Sequence, residues 1–226
     1  MPVVIARDPV SAGPWDMFAA LVERDGSLAH PYPRTLLARR GIPTDSAVAD
    51  LSDIAHLLCI VHGRHPGVID HAYARSHDDA RDWLADAASG FAAERARLIA
   101  TVAAAGPLPS TPGHAQAEAA LTGQRHAIDT LAQSDRSGCA IGAAVALAVD
   151  WGTIRCVLDI ASERFGMPSA RSGMEGVGGT AALVESSAQT PASERAFRFG
   201  AQQMLAQHRG LWDLLEARHE ARRHPA

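Results

Sequence analysis

The sequence predicts an all-α fold, a single helical domain spanning residues 1–226 with about six to eight helices. Three observations carry that reading. Apolar residues recur at three- and four-residue spacing along most of the chain, the period of one helical face. No alternating apolar and polar stretch of strand length occurs, apart from a short one at Val3 to Ala6. The breaks between periodic stretches carry helix-stop and helix-start chemistry, with glycine and proline flanked by serine, threonine or aspartate.

The elements follow in order. Pro14 suits the first position of a helix, where its missing N–H costs nothing, and WDMFAALVER runs from it to the Asp25-Gly26 stop. PYPRTLLARRG holds a second short helix. Thr44 or Ser46 caps a third, whose stripe of Ala47, Leu51, Ile54, Leu58 and Val61 lies on one face. It ends by about Arg64, because the residue before Pro66 is pushed out of the α region, and His65-Pro66-Gly67 is then a tight turn. After the segment VIDHAYAR, Ser76 and the acidic HDDARDW give a cap and a first turn. That helix runs to about Ala105 with Leu84, Ala87, Phe91, Leu98 and Val102 inward. GPLPSTPG is a loop. Two long helices, roughly 113–134 and 137–165, are broken near Ser134-Gly138. Residues 166–191, rich in Gly and Ser, read as a mobile connection. A last helix starts near Thr190-Pro191 and aligns Phe197, Met204, Leu211 and Leu215.

Composition narrows the function classes. A net charge of −4, with no basic run before the final residues, speaks against a nucleic-acid surface. All 21 cationic residues are arginine; lysine and asparagine are absent from the chain. Schiff-base chemistry and the phosphate-gripping lysine of a P-loop are therefore excluded. The three cysteines, Cys59, Cys139 and Cys156, form no CxxC pair. Cys139 and Cys156 sit about 25 Å apart on one predicted helix, too far to bridge. Reduced thiols fit a cytoplasmic protein, and the N-terminus lacks the apolar run of a signal peptide. The longest apolar run, Cys139 to Val149, is too short to span a bilayer, so no membrane partner is expected.

Two polar residues intrude on apolar stripes. Along the series 143, 147, 150, 154, 157, 161 and 165, Asp150 stands where a core residue belongs. A buried carboxylate requires a partner, such as an arginine (Arg125, for instance), a histidine, a hydroxyl or a metal. His208 intrudes in the same way between Met204 and Leu211. A third concentration of chemistry recurs every third residue: Asp53, His56, Cys59, His62 and His65, with His71, His77 and His30 flanking it. Imidazole, thiol and carboxylate are the ligand and proton-transfer groups of proteins. A three-residue repeat drifts by about 60° per step on a helix, so neighbouring pairs can converge but all five cannot. His62 and His65 fall at a helix C-terminus, where imidazoles can bond free carbonyls. The helix read at roughly 113–134 adds Glu118 and an HxxD pair, His126 with Asp129.

The phrases HLLCIVHGRHPGVIDHA and SDRSGCAIGAAVALAVDWGTIRCVLDIASERFG resemble a bacterial family of helical proteins of unknown function, over about residues 14 to 165. At fold level alone the chain is similar to heme-oxygenase-like and ferritin-like bundles. That likeness implies a metal or small-ligand site in the bundle.

Two functions follow as expectations. The first is a non-catalytic ligand-binding or regulatory bundle, whose partner is a small ligand and whose buried polar groups specify packing. The second is a metal-dependent, oxidase-type enzyme, its cofactor a transition metal held by Asp53, His56, Asp150 and His208 from facing helices. The small residues Gly138, Ala140, Gly142, Ala144, Ala146 and Ala148 suit close helix packing either within one chain or across a homodimer.

Overall fold

The computed structural model describes residues 13–40, 47–76, 80–136 and 138–224. Val3 to Ala6, Thr44, Ser46, His77 and the side chain of Ala47 lie outside the described residues. The elements in chain order are α1 (Pro14–Asp25), a 3-10 turn (Ser27–Ala29), α2 (Pro31–Ala38), α3 (Ala47–His62) and α4 (Val68–Arg75). They continue with α5 (Ala80–Ala105), α6 (His114–Ala132), α7 (Cys139–Arg164), α8 (Thr180–Ser187) and α9 (Pro191–Arg223). Among the described residues the fold is all-α, with no strand. Seven of these helices are marked by the sequence pattern. The other two, α4 and α8, are eight-residue helices that the pattern did not single out.

The most apolar stretch becomes the central helix. α7 is long and apolar enough to cross a membrane by length and composition, yet 67% of its most apolar window is buried inside the fold. The apolar run is interrupted by Asp150, Arg155 and Asp159, while the helix continues through all three. α9 makes the most extensive contact with it. The reason is the absence of side chains at the crossing. A Cβ on Gly142 would overlap the carbonyl of Phe197, and one on Gly200 would overlap the carbonyl of Cys139. The small-residue face of α7 thus serves packing within the chain, backbone against backbone. α3 and α5 cover other faces of α7, contributing Ile54, Leu58, Leu84, Ala87 and Leu98 to the core with Trp151, Ile154 and Val157.

Helix ends follow local chemistry. Thr190 caps α9, its hydroxyl accepting from the Ser193 N–H at 3.1 Å while Ser193 Oγ accepts from the Thr190 N–H, and Pro191 takes the first position. Asp70 accepts from the Gly67 N–H at the start of α4 (2.7 Å) and from Arg95 of α5 (2.8 Å). Gly106, with φ +77°, turns the chain out of α5 in a conformation side-chain-bearing residues avoid.

The Gly- and Ser-rich stretch 166–191 differs from the mobile connection expected of it. It contains α8, and its middle is fastened to the core. Glu94 of α5, buried, accepts from Trp151 Nε1 (2.9 Å), Arg155 Nη1 (2.8 Å), Ser172 Oγ (3.0 Å) and the Gly173 N–H (2.6 Å). Arg155 also donates to the Ala170 carbonyl. A Cβ on Gly90 or Gly173 would collide with the other's carbonyl, so glycine here permits close approach of two backbones.

Candidate functional site

The two polar intruders meet in the core. Asp150 of α7 and His208 of α9 are both at most 2% exposed, and His208 Nδ1 lies 2.6 Å from Asp150 Oδ2. The carboxylate partners are therefore an imidazole and a serine, in place of an arginine such as Arg125. Ser27, in the 3-10 turn, donates its backbone N–H to Asp150 Oδ1 (2.7 Å) and its hydroxyl to Oδ2 (2.6 Å). Trp212, one helical turn beyond His208, donates its indole N–H to Ser27 Oγ at 2.8 Å. Gly26 lets the turn come so close, since a Cβ there would meet Asp150 Oδ1 at 3.0 Å and overlap the Val22 carbonyl.

The chain of contacts continues to α3. His208 Nε2 stands 3.1 Å from Nε2 of His62, the last residue of that helix. His62 is buried and boxed by aromatic rings: Trp151 at 5.7 Å and Phe91 at 6.4 Å between centroids, both edge-on. His62 thus bonds a second imidazole rather than the carbonyls of its own helix end.

Tautomers follow from the partners. A carboxylate without its proton only accepts, so His208 carries its proton on Nδ1 and presents an Nε2 lone pair. His62 must then hold its own proton on Nε2 and donate it. The line runs Trp212 to Ser27 to Asp150 from one side, and His62 to His208 to Asp150 from the other. Both arms converge on one carboxylate.

Electrostatics agrees with that polarity. Burial, and after it the neighbouring His208, pushes the His62 imidazole well below its ordinary value and keeps it neutral. Burial alone would push the Asp150 carboxyl up. The hydrogen bond from His208, with the two bonds from Ser27, outweighs it and holds Asp150 below its usual range. A carboxylate so held is a weak base. The Ser27 hydroxyl donates its hydrogen bond to that carboxylate and accepts from Trp212, so no imidazole activates it as a nucleophile.

The other candidate residues are dispersed. Asp53, fully buried, accepts from Arg218 Nε (2.8 Å) and Nη2 (2.9 Å) and pairs with Arg222. Asp50 accepts from His219 Nδ1 (2.8 Å) and also pairs with Arg222, which donates to Thr111 Oγ1. His56 Nε2 bonds the Gly106 carbonyl at 2.8 Å. Asp53 and His56 therefore point to partners other than Asp150 and His208, and the four do not converge. Among the described residues no group of three or more His, Cys, Asp or Glu side chains is arranged to hold a metal ion. Cys59 is half-buried, and burial pushes its thiol up. His65 is exposed, 3.7 Å from Asp70, and His71 is half-buried on α4. Glu118 and His126 are exposed on α6, with Asp129 half-buried. His30, nearly fully buried, caps α2 through Nδ1 and faces Asp213 at 2.9 Å.

Beside Asp150 the surface opens into a groove of about 840 Å³ between α1, the 3-10 turn, α2 and α7. Trp15, Phe18, Val22, Leu28 and Val149 supply apolar walls, with Glu23, Arg34 and Thr153 as polar members. Asp150 lies at its floor. Leu28 is 58% exposed there, beside the partly exposed Val149.

Pattern reasoning missed Ser27, Trp212, Trp151 and Phe91 as neighbours of the intruders. One signal was available: Trp212 follows His208 by four residues and so shares its face. No curated protein and no solved structure matches the chain. Residues 22–223 match the family of unknown function DUF6975, and the chain belongs to that family.

Proposed function

We propose that this is a non-catalytic ligand-binding protein of the cytoplasm, whose groove beside Asp150 holds a small, mainly apolar molecule. The observation that carries the reading is the groove itself, about 840 Å³ with exposed Leu28 and Val149 in its walls. That volume suits a small organic ligand, and mostly apolar walls with a few polar groups are the usual make-up of such sites. The floor supports binding over chemistry. Both oxygens of Asp150 are engaged by donors from inside the fold, leaving it a poor base towards anything in the groove. Three free cysteines support the cytoplasmic placement.

The test uses N-phenyl-1-naphthylamine, an uncharged apolar fluorophore. The expected result is saturable binding with a dissociation constant on the order of micromolar. Val149→Arg, which places a charge in the wall, should weaken it by about tenfold or more. Absence of saturable binding, or binding by Val149→Arg and Leu28→Arg as tight as that of the wild-type chain, would overturn the reading.

A further inference from the structure

The buried imidazole pair and the groove share one carboxylate. Asp150 forms the groove floor and also holds the Ser27–Ala29 turn through two hydrogen bonds, and Leu28 and Ala29 of that turn line the groove. Its Oδ2 is divided between two donors, Ser27 Oγ and His208 Nδ1, each at 2.6 Å. Strengthening either bond draws on the same oxygen. We propose that uptake of one proton by the His62–His208 pair tightens the Asp150–His208 bond at the expense of Ser27, loosens the turn that walls the groove, and so weakens ligand binding in acid. This rests on the groove being a ligand site.

The proton balance is simple. One proton enters at His62 Nδ1, and the Nε2 proton of His62 passes to Nε2 of His208. His62 ends neutral with its proton on Nδ1, and His208 ends as an imidazolium against the Asp150 carboxylate. A charge-assisted bond of that kind is about twice as strong as a neutral one. Burial of His62 among apolar rings works in the same direction, disfavouring charge on that ring.

The surroundings leave Asp150 as the carboxylate bonded to the pair. From α5, Phe91 faces His62, and Arg95 lies over that ring (5.4 Å) with its charge matched by Asp70 of α4, which His65 also approaches. From α7, Trp151 faces His62, and its N–H is taken by Glu94, itself paired with Arg155. Arg155 is further paired with Asp159, which Arg97 reaches at 3.4 Å. On α3 itself the nearest titratable neighbour on that face is the thiol of Cys59, one turn earlier.

The experiment measures N-phenyl-1-naphthylamine affinity at about pH 7.5 and about pH 5.5, on either side of the ordinary imidazole range, with near-UV circular dichroism confirming the fold at both. The wild-type chain should bind about five- to tenfold more weakly at the lower pH. His62→Phe, which keeps a ring among rings, should reduce that ratio to below about twofold, and Ser27→Ala, which removes the hydroxyl that competes with His208 for Oδ2, should do the same. Ser27→Ala carries the test should His62→Phe fail to fold. A ratio near one in the wild type, or an unchanged ratio in the variants, overturns the coupling, while the groove reading stands if Val149→Arg still weakens binding by about tenfold or more. Binding that Val149→Arg leaves untouched removes the groove reading and the coupling together.

Discussion

Arg218→Ala is expected to destabilise the protein by about 3–5 kcal/mol, because it leaves a carboxylate buried without its bidentate partner. Asp53 is fully buried and Arg218 is 3% exposed, so little water is available to replace the guanidinium. The loss spreads beyond one pair. Arg222 bridges Asp53 and Asp50, and Pro109 and Thr111 of the α5–α6 loop take donors from the same two arginines. The cluster thereby ties the end of α9 to the start of α3 and to that loop. Urea unfolding should show the shift in midpoint, and the melting temperature should fall by roughly 10–15 °C. Replacing both partners, as in Asp53→Leu with Arg218→Met, should recover part of the loss, since the uncompensated charge is then gone. A loss below about 1 kcal/mol for Arg218→Ala would show the pair to be solvated.

Asp150→Ala should cost a similar amount, about 3–5 kcal/mol, for a different reason. Three donors lose their acceptor at once: the Ser27 N–H, the Ser27 hydroxyl and His208 Nδ1. The effect carries a pH signature. The folded state holds the Asp150 carboxyl below its ordinary value of 3.8, so the stabilisation is fully present above that pH and is lost as pH falls through the lower folded value. The gap between wild type and Asp150→Ala should therefore close in strong acid. A gap unchanged below about pH 3 would mean that the carboxylate charge contributes nothing.

Periodicity announced the long helices because each buries a continuous apolar face. α7 could be placed to within two residues at each end, and the start of α9 to within one. The short α4 and α8 could not: unlike α2, which is as short but opens on proline, neither carries a start signal of that kind, and their burial is decided by neighbours. The same periodicity exposed Asp150 and His208 as residues out of place, and the fold brings them together. What the stripes did not carry was the partner of each polar group. Asp53 and His56 lie one turn apart on α3, yet one faces α9 and the other the Gly106 carbonyl, a difference set by tertiary packing. Ser27 sits in a turn with no period at all, and its role becomes apparent once Gly26 has allowed the chain to reach Asp150. Among the glycines of 166–191, which read as freedom in the sequence, Gly173 serves as a backbone contact in the fold, while Gly166, Gly176, Gly178 and Gly179 have open space beside them.

The most direct test of the buried chain is nitrogen-15 NMR of the histidine side chains, which reads the tautomer of each ring. The predicted spectrum has His208 protonated on Nδ1 and His62 on Nε2 at neutral pH, with His62 still neutral well below the ordinary imidazole range. Two rings in the same tautomer, both titrating as free histidines do near pH 6.5, would contradict the account.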